Sequence, residues 1–73
     1  MDKKEAYEIV YNDLIAANLF RGIYDARYGN VSFMNGIATV MDIIADEAGK
    51  SEEFEELFYK NLEESEKKAK MKS

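Results

Sequence analysis

The stretch GNVSFMNGIATVMDIIADEAG, residues 29–49, decides the fold. Apolar residues recur in it every three or four positions and share one wide helical face, while polar residues take the opposite face. Asn30 or Ser32 can cap the first turn, and Gly29 and Gly49 stand outside the two ends. The pattern predicts a helix over residues 31–48. Its apolar face holds Phe33, Met34, Ile37, Val40, Met41, Ile44, Ala45 and Ala48.

A longer helical pattern precedes this stretch, over residues 3–28. Asp2 can cap it, and Glu5 stands three residues later, as in a capping box. From Leu14 to Tyr24 the apolar residues cover most of the circumference, and a helix of that kind is buried on more than one side. Gly22 lies within it, where we expect a kink or the close approach of another backbone.

A third helix is predicted over residues 52–69, with Ser51 as its N-cap. Its apolar stripe ends at Leu62, and the residues beyond are mostly Glu and Lys. Glu and Lys four residues apart stabilise a solvated helix, so we expect this end to lie in solvent and residues 66–73 to fray. The stripe comprises Phe54, Leu57, Phe58 and Leu62, and the pairs are Glu63–Lys67, Glu64–Lys68 and Glu66–Lys70.

These elements predict one all-α domain, residues 1–73, built as a small bundle of three helices joined by short connections. The first helix, if straight, is about 40 Å long and the second about 27 Å. We therefore expect self-association as a homodimer, because two shorter helices cannot cover the first one. The self-association residues are predicted to be Leu14, Ile15, Leu19, Phe20 and Ile23. The alternative is a compact monomer in which the first helix bends at Gly22.

Composition excludes most catalytic chemistry. The 73 residues include no Cys and no His, which removes thiolate nucleophiles, histidine-based triads and imidazole metal ligands. We therefore expect no enzyme, no cofactor and no metal site. The net charge of −5 disfavours nucleic acid, and no apolar run is long enough to span a bilayer. The N-terminus has no signal-peptide pattern, so a cytoplasmic location is expected.

One short stretch of the sequence, which we call the corner, combines several residues typical of binding sites. Both arginines and two tyrosines lie between residues 21 and 30, next to the start of the second predicted helix. Arg and Tyr dominate protein interfaces, and an arginine beside a helix N-terminus can bind an anion. Plain surface pairing and packing are the simpler interpretation of the same residues. The candidate site comprises Arg21, Tyr24, Asp25, Arg27, Tyr28, Asn30 and Asn35.

Two function hypotheses follow. The first is a non-enzymatic, self-associating helical module that acts by binding another protein. The alternative is a binder of a small anionic ligand, a nucleotide or a phosphorylated metabolite, at Arg21 and Arg27.

The stretch FRGIYDA, residues 20–26, followed by GNVSFMNG, residues 29–36, resembles small hypothetical helical proteins of anaerobic gut bacteria and their mobile elements. The resemblance extends weakly through the third predicted helix and so covers most of the chain. It implies a natural bacterial protein. No activity is established for that group, so the resemblance supplies no mechanism.

Overall fold

The computed structural model describes the backbone of residues 1–72 and the side chains of residues 1–71. Regular structure in this range is entirely helical, which confirms the all-α prediction. The prediction of three helices is wrong, because the first predicted helix is two helices separated by a turn. The elements are α1 (Lys3–Val10), continued by a π-helical segment (Tyr11–Ala16), then α2 (Arg21–Ala26), α3 (Val31–Glu47) and α4 (Ser51–Lys72).

The chain breaks at Asn18, between the π-helical segment and α2. Asn18 has a φ of 60°, the left-handed conformation that commonly ends a helix. Its N–H donates to the Ile15 carbonyl at 2.9 Å and the Leu19 N–H donates to the Leu14 carbonyl at 3.0 Å, as in a Schellman motif. Neither the kink nor the close approach of a backbone expected at Gly22 is found: Gly22 lies inside α2, and a Cβ there would meet nothing within 4 Å.

The length of α3 explains why the first helix is broken. At one end Lys3 Nζ lies 3.4 Å from Glu47 Oε2, and at the other the Arg27 guanidinium lies 5.5 Å from the centre of the Phe33 ring. Residues 33–47 span about 21 Å of helix, whereas residues 3–27 would span about 36 Å if straight. The π-helical segment and the turn at Asn18 absorb the difference.

Local signals fix the remaining helix ends. Asp2 Oδ1 accepts a hydrogen bond from the Glu5 N–H at 2.8 Å, and Asn30 Oδ1 accepts one from the Phe33 N–H at 3.0 Å. Asp2 is therefore confirmed as a cap, and of the two candidates for α3 Asn30 is the one that caps. The glycines that follow α2 and α3 have positive φ, 98° at residue 29 and 71° at residue 49.

Two helix boundaries differ from those predicted. Ser51 is the first residue of α4 and not its cap, and α3 ends at Glu47, one residue earlier than predicted. α4 continues as a helix to Lys72. Fraying of residues 66–73 stays a prediction, and Ser73 lies outside the described residues.

The core is narrow and aromatic. Phe20, Tyr24, Phe58 and Phe54 form a chain of ring contacts with centres 5.7–6.3 Å apart, two of them edge to face. Edge-to-face pairs add about 0.5–1.5 kcal/mol beyond the burial of their area. In the part of the chain that the structure describes, no helix has the length and apolarity needed to cross a membrane. The buried apolar residues are Tyr11, Ile15, Phe20, Tyr24, Met41, Ala45, Ala48 and Phe54.

The break at Asn18 predicts different effects for two substitutions. Asn18→Ala and Asn18→Gly both remove the hydrogen bond that the Asn18 side chain accepts from Asn61. Only alanine is strained at a φ of 60°, by about 1 kcal/mol. We therefore expect Asn18→Ala to lower the free energy of unfolding by about 1 kcal/mol more than Asn18→Gly, measured by urea denaturation followed by circular dichroism. Equal losses would contradict a left-handed residue at this position.

Candidate functional site

A polar cluster joins α2 to the second half of α4. Arg21 is its centre: Nε donates to Asp25 Oδ1 at 3.0 Å, and Nη1 donates to Asn61 Oδ1 at 2.7 Å and to Glu64 Oε2 at 2.6 Å. The hydrogen bond from Arg21 lowers the pKa of the Glu64 carboxyl. We call this set the α2–α4 polar cluster. It comprises Asn18, Arg21, Asp25, Asn61, Glu64, Ser65 and Lys68.

Asp25 is the acceptor on which three donors of this cluster converge. Besides Arg21, Ser65 Oγ donates to Oδ1 at 2.7 Å and Lys68 Nζ donates to Oδ2 at 2.8 Å. Burial by itself raises the pKa of this carboxyl, but the hydrogen bonds from Lys68, Ser65 and Arg21 outweigh it and lower the pKa from 3.8 to about 2. Asp25 is thus held as a carboxylate that bridges α2 to α4.

The sequence interpretation missed the α4 half of this cluster. Asn61 and Ser65 are each only 2% exposed, although the end of α4 was expected to lie in solvent. The Glu63–Lys67 pair is confirmed at 3.6 Å, but Glu64 binds Arg21 and Lys68 binds Asp25. A signal was present: residues 54, 58, 61 and 65 follow helical spacing, so the two polar residues continue the apolar stripe.

The structure divides the predicted corner into separate groups. Arg21 and Asp25 belong to the polar cluster, whereas the exposed Arg27 places its guanidinium over the Phe33 ring. Asn30 is occupied as the α3 cap. The two arginines are therefore not brought together at the start of α3. The anionic-ligand hypothesis draws no support from this geometry and stays a prediction.

The other three predicted residues line one groove between the α2–α3 turn and α4. Tyr24 is only 1% exposed, and its hydroxyl has no hydrogen-bond partner among the described residues. The groove has a volume of about 400 Å³ and a mainly apolar lining. We call it the Tyr24 groove. Its lining residues are Tyr24, Tyr28, Gly29, Val31, Met34, Asn35, Ala38, Phe58 and Leu62.

The predicted self-association residues also fall into two groups. Leu14, Leu19 and Ile23 are exposed, with Leu14 46% accessible to solvent. Ile15 and Phe20 are buried in the core of the same chain, so in this fold they are not available to a second copy. The surplus apolar surface predicted for the first segment is thus present on only some of its residues.

Helix α3 extends this exposed surface. The Lys3–Glu47 ion pair shows the antiparallel register of α1 and α3. Val10 lies two turns after Lys3, and Val40 lies two turns before Glu47, each on the same face of its helix. The antiparallel register therefore places Val10 and Val40 side by side. Ile43 lies one turn from Val40 towards Glu47, and Leu14 lies one turn from Val10 in the opposite direction along the helix pair; all four are exposed. We call Val10, Leu14, Val40 and Ile43 the α1–α3 strip.

No protein-family model, curated protein or solved structure matches the chain. The resemblance noted from the sequence therefore stays a prediction. Among the described residues, no three carboxylate, His or Cys side chains gather into a set that could hold a metal ion.

The donors around Asp25 predict a pH dependence. Its pKa is about 2 in the folded chain, below the ordinary 3.8. The unfolded chain therefore takes up this proton first, and the free energy of unfolding falls as the pH is lowered from 3.8 towards 2. We expect a shallower fall in Asp25→Asn, measured by urea denaturation at each pH. The control is Asp42→Asn at an exposed position, and a slope as steep in Asp25→Asn as in this control would contradict the assignment.

Proposed function

We propose that the chain is a non-enzymatic helical module that self-associates through the α1–α3 strip and acts by binding protein. The observation that carries the proposal is the imbalance between exposed and buried apolar residues. In the part of the chain that the structure describes, eleven large apolar side chains are exposed, while the core contains eight buried apolar residues. A chain of this size buries only about 60% of its unfolded surface, so further burial adds needed stability.

The strip groups four exposed apolar residues on neighbouring helices, which separates it from apolar residues scattered singly over a surface. Val10 and Leu14 lie one turn apart on the first segment, and Val40 and Ile43 lie one turn apart on α3. Gly36 stands one turn before Val40, and a Cβ there would meet nothing within 4 Å. The missing side chain leaves room beside the strip for the close approach of another helix.

A second copy of the chain is the occupant that the charges favour. In a two-fold dimer the same patch faces itself, so every residue near the axis meets its own kind. The four strip residues are uncharged and can do this without repulsion, whereas the chain as a whole carries a net charge of −5. Two copies joined along the strip would place two α1–α3 pairs together, as in a four-helix bundle.

The proposal that the module is not an enzyme has separate support. The sequence has neither His nor Cys. The charged groups of the α2–α4 polar cluster bind one another, so their hydrogen-bonding capacity is directed inside the fold. The proposal includes a bacterial origin and a cytoplasmic location, with which an acidic, cysteine-free composition is compatible.

Sedimentation velocity at micromolar concentration tests the assembly. We expect the wild-type chain to sediment at twice the 8.4 kDa of one copy. Val40→Lys places a charge in the strip, at a side chain that is 56% exposed in the single chain. It should therefore weaken self-association at least tenfold and leave the helical circular dichroism spectrum unchanged.

Val31→Lys is the matched control. Val31 is the same residue type on the same helix, is 69% exposed, and lies outside the strip. Its substitution should leave the dimer intact. A wild-type chain that sediments at 8.4 kDa contradicts the proposal. Equal loss of the dimer in the two variants would show that the strip is not the interface.

A further inference from the structure

We propose that the Tyr24 groove binds a small, uncharged, mainly apolar molecule that carries a hydrogen-bond acceptor, and that the Tyr24 hydroxyl donates to this acceptor. The inference concerns a different surface from the α1–α3 strip and does not depend on self-association. It starts from one atom, the Tyr24 hydroxyl oxygen.

That hydroxyl is buried and unpartnered. Less than 1 Å² of its oxygen is exposed, and it makes no hydrogen bond to any residue that the structure describes. A buried hydroxyl without a partner is costly, and nearly all native hydroxyls in such positions are paired. Burial also raises the pKa of Tyr24, with a smaller contribution from Tyr28, so the hydroxyl keeps its proton and can donate.

The groove has the size and lining of a ligand site. Its volume of about 400 Å³ lies within the range of small-molecule pockets, about 300–1,000 Å³. Phe58, Leu62 and Met34 supply apolar surface. Because the Tyr24 oxygen is closed to solvent, a lining side chain must move before a ligand can reach it, and the flexible Met34 is the side chain best suited to do so. No Asp, Glu, Lys or Arg is among the lining residues, which favours an uncharged ligand.

A neighbouring groove makes the contrast clear. It lies on the other side of Phe58, between α3 and α4, and is also about 400 Å³. Its lining includes the carboxylates of Asp42 and Glu55, and none of its polar side chains is buried without a partner. Equal volume therefore does not distinguish the two grooves. The unpaired hydroxyl at Tyr24 does.

Two probes of nearly the same shape test the hydroxyl. Benzophenone has a carbonyl oxygen where diphenylmethane has a CH₂ group, and both are otherwise apolar. We expect both to shift amide signals of Gly29 and Asn35, which line only this groove, in ¹H–¹⁵N NMR titrations of the full chain. Benzophenone should bind about fivefold more tightly, as expected for one hydrogen bond to an otherwise unpaired group.

Tyr24→Phe removes only the hydroxyl and should abolish this difference without lowering the melting temperature. Tyr59→Phe, at an exposed tyrosine outside the groove, is the control and should keep it. The proposal is overturned if neither probe shifts the groove amides, if both bind wild type equally, or if Tyr24→Phe keeps the preference for benzophenone.

Discussion

The left-handed turn at Asn18 is the constraint on which the rest of the structure depends. It interrupts the helix between Ala16 and Arg21, and so lets a long first segment pack against the shorter α3. The turn directs Phe20 and Tyr24 into the core. The turn also places Arg21 and Asp25 beside α4. There Asn61 Oδ1 accepts a hydrogen bond from Arg21, and Asn61 Nδ2 donates one to Asn18 Oδ1.

This arrangement leaves two faces of α3 with different properties. The face beside α1 presents the uncharged side chains of Val40 and Ile43 to solvent, with Val40 at the level of the exposed Val10. The face towards α4 contributes Met34 and Ala38 to the Tyr24 groove. Assembly through the first face would leave the second open, so the two proposed activities do not compete for surface.

Residues close in sequence determine the ends of α3, so this helix could be predicted. Contacts between residues far apart in the sequence could not. Asn30 caps the start of α3 and Gly49 follows its end, and both act within one turn of the helix. The predicted range 31–48 is therefore correct to within one residue. Asn18 gave a weaker form of the same signal, because asparagine is the less common residue at a left-handed helix end. Asn61 and Ser65 looked like solvated positions, since their burial depends on Arg21 and Asp25, about forty residues away. The sequence singled out the candidate residues of the corner together. Their division among the polar cluster, the α3 cap and the Tyr24 groove depends on how α2 packs on α4, which the sequence does not show.

NMR of a sample that mixes labelled and unlabelled chains can detect self-association through the α1–α3 strip directly. In such a mixture of ¹³C-labelled and unlabelled chains, an isotope-filtered experiment detects only the nuclear Overhauser effects between one copy and another. We expect such contacts from the methyl groups of Val10, Leu14, Val40 and Ile43. Contacts between copies that involve only Leu19, Ile23 or the residues of α4, or none at millimolar concentration, would contradict it.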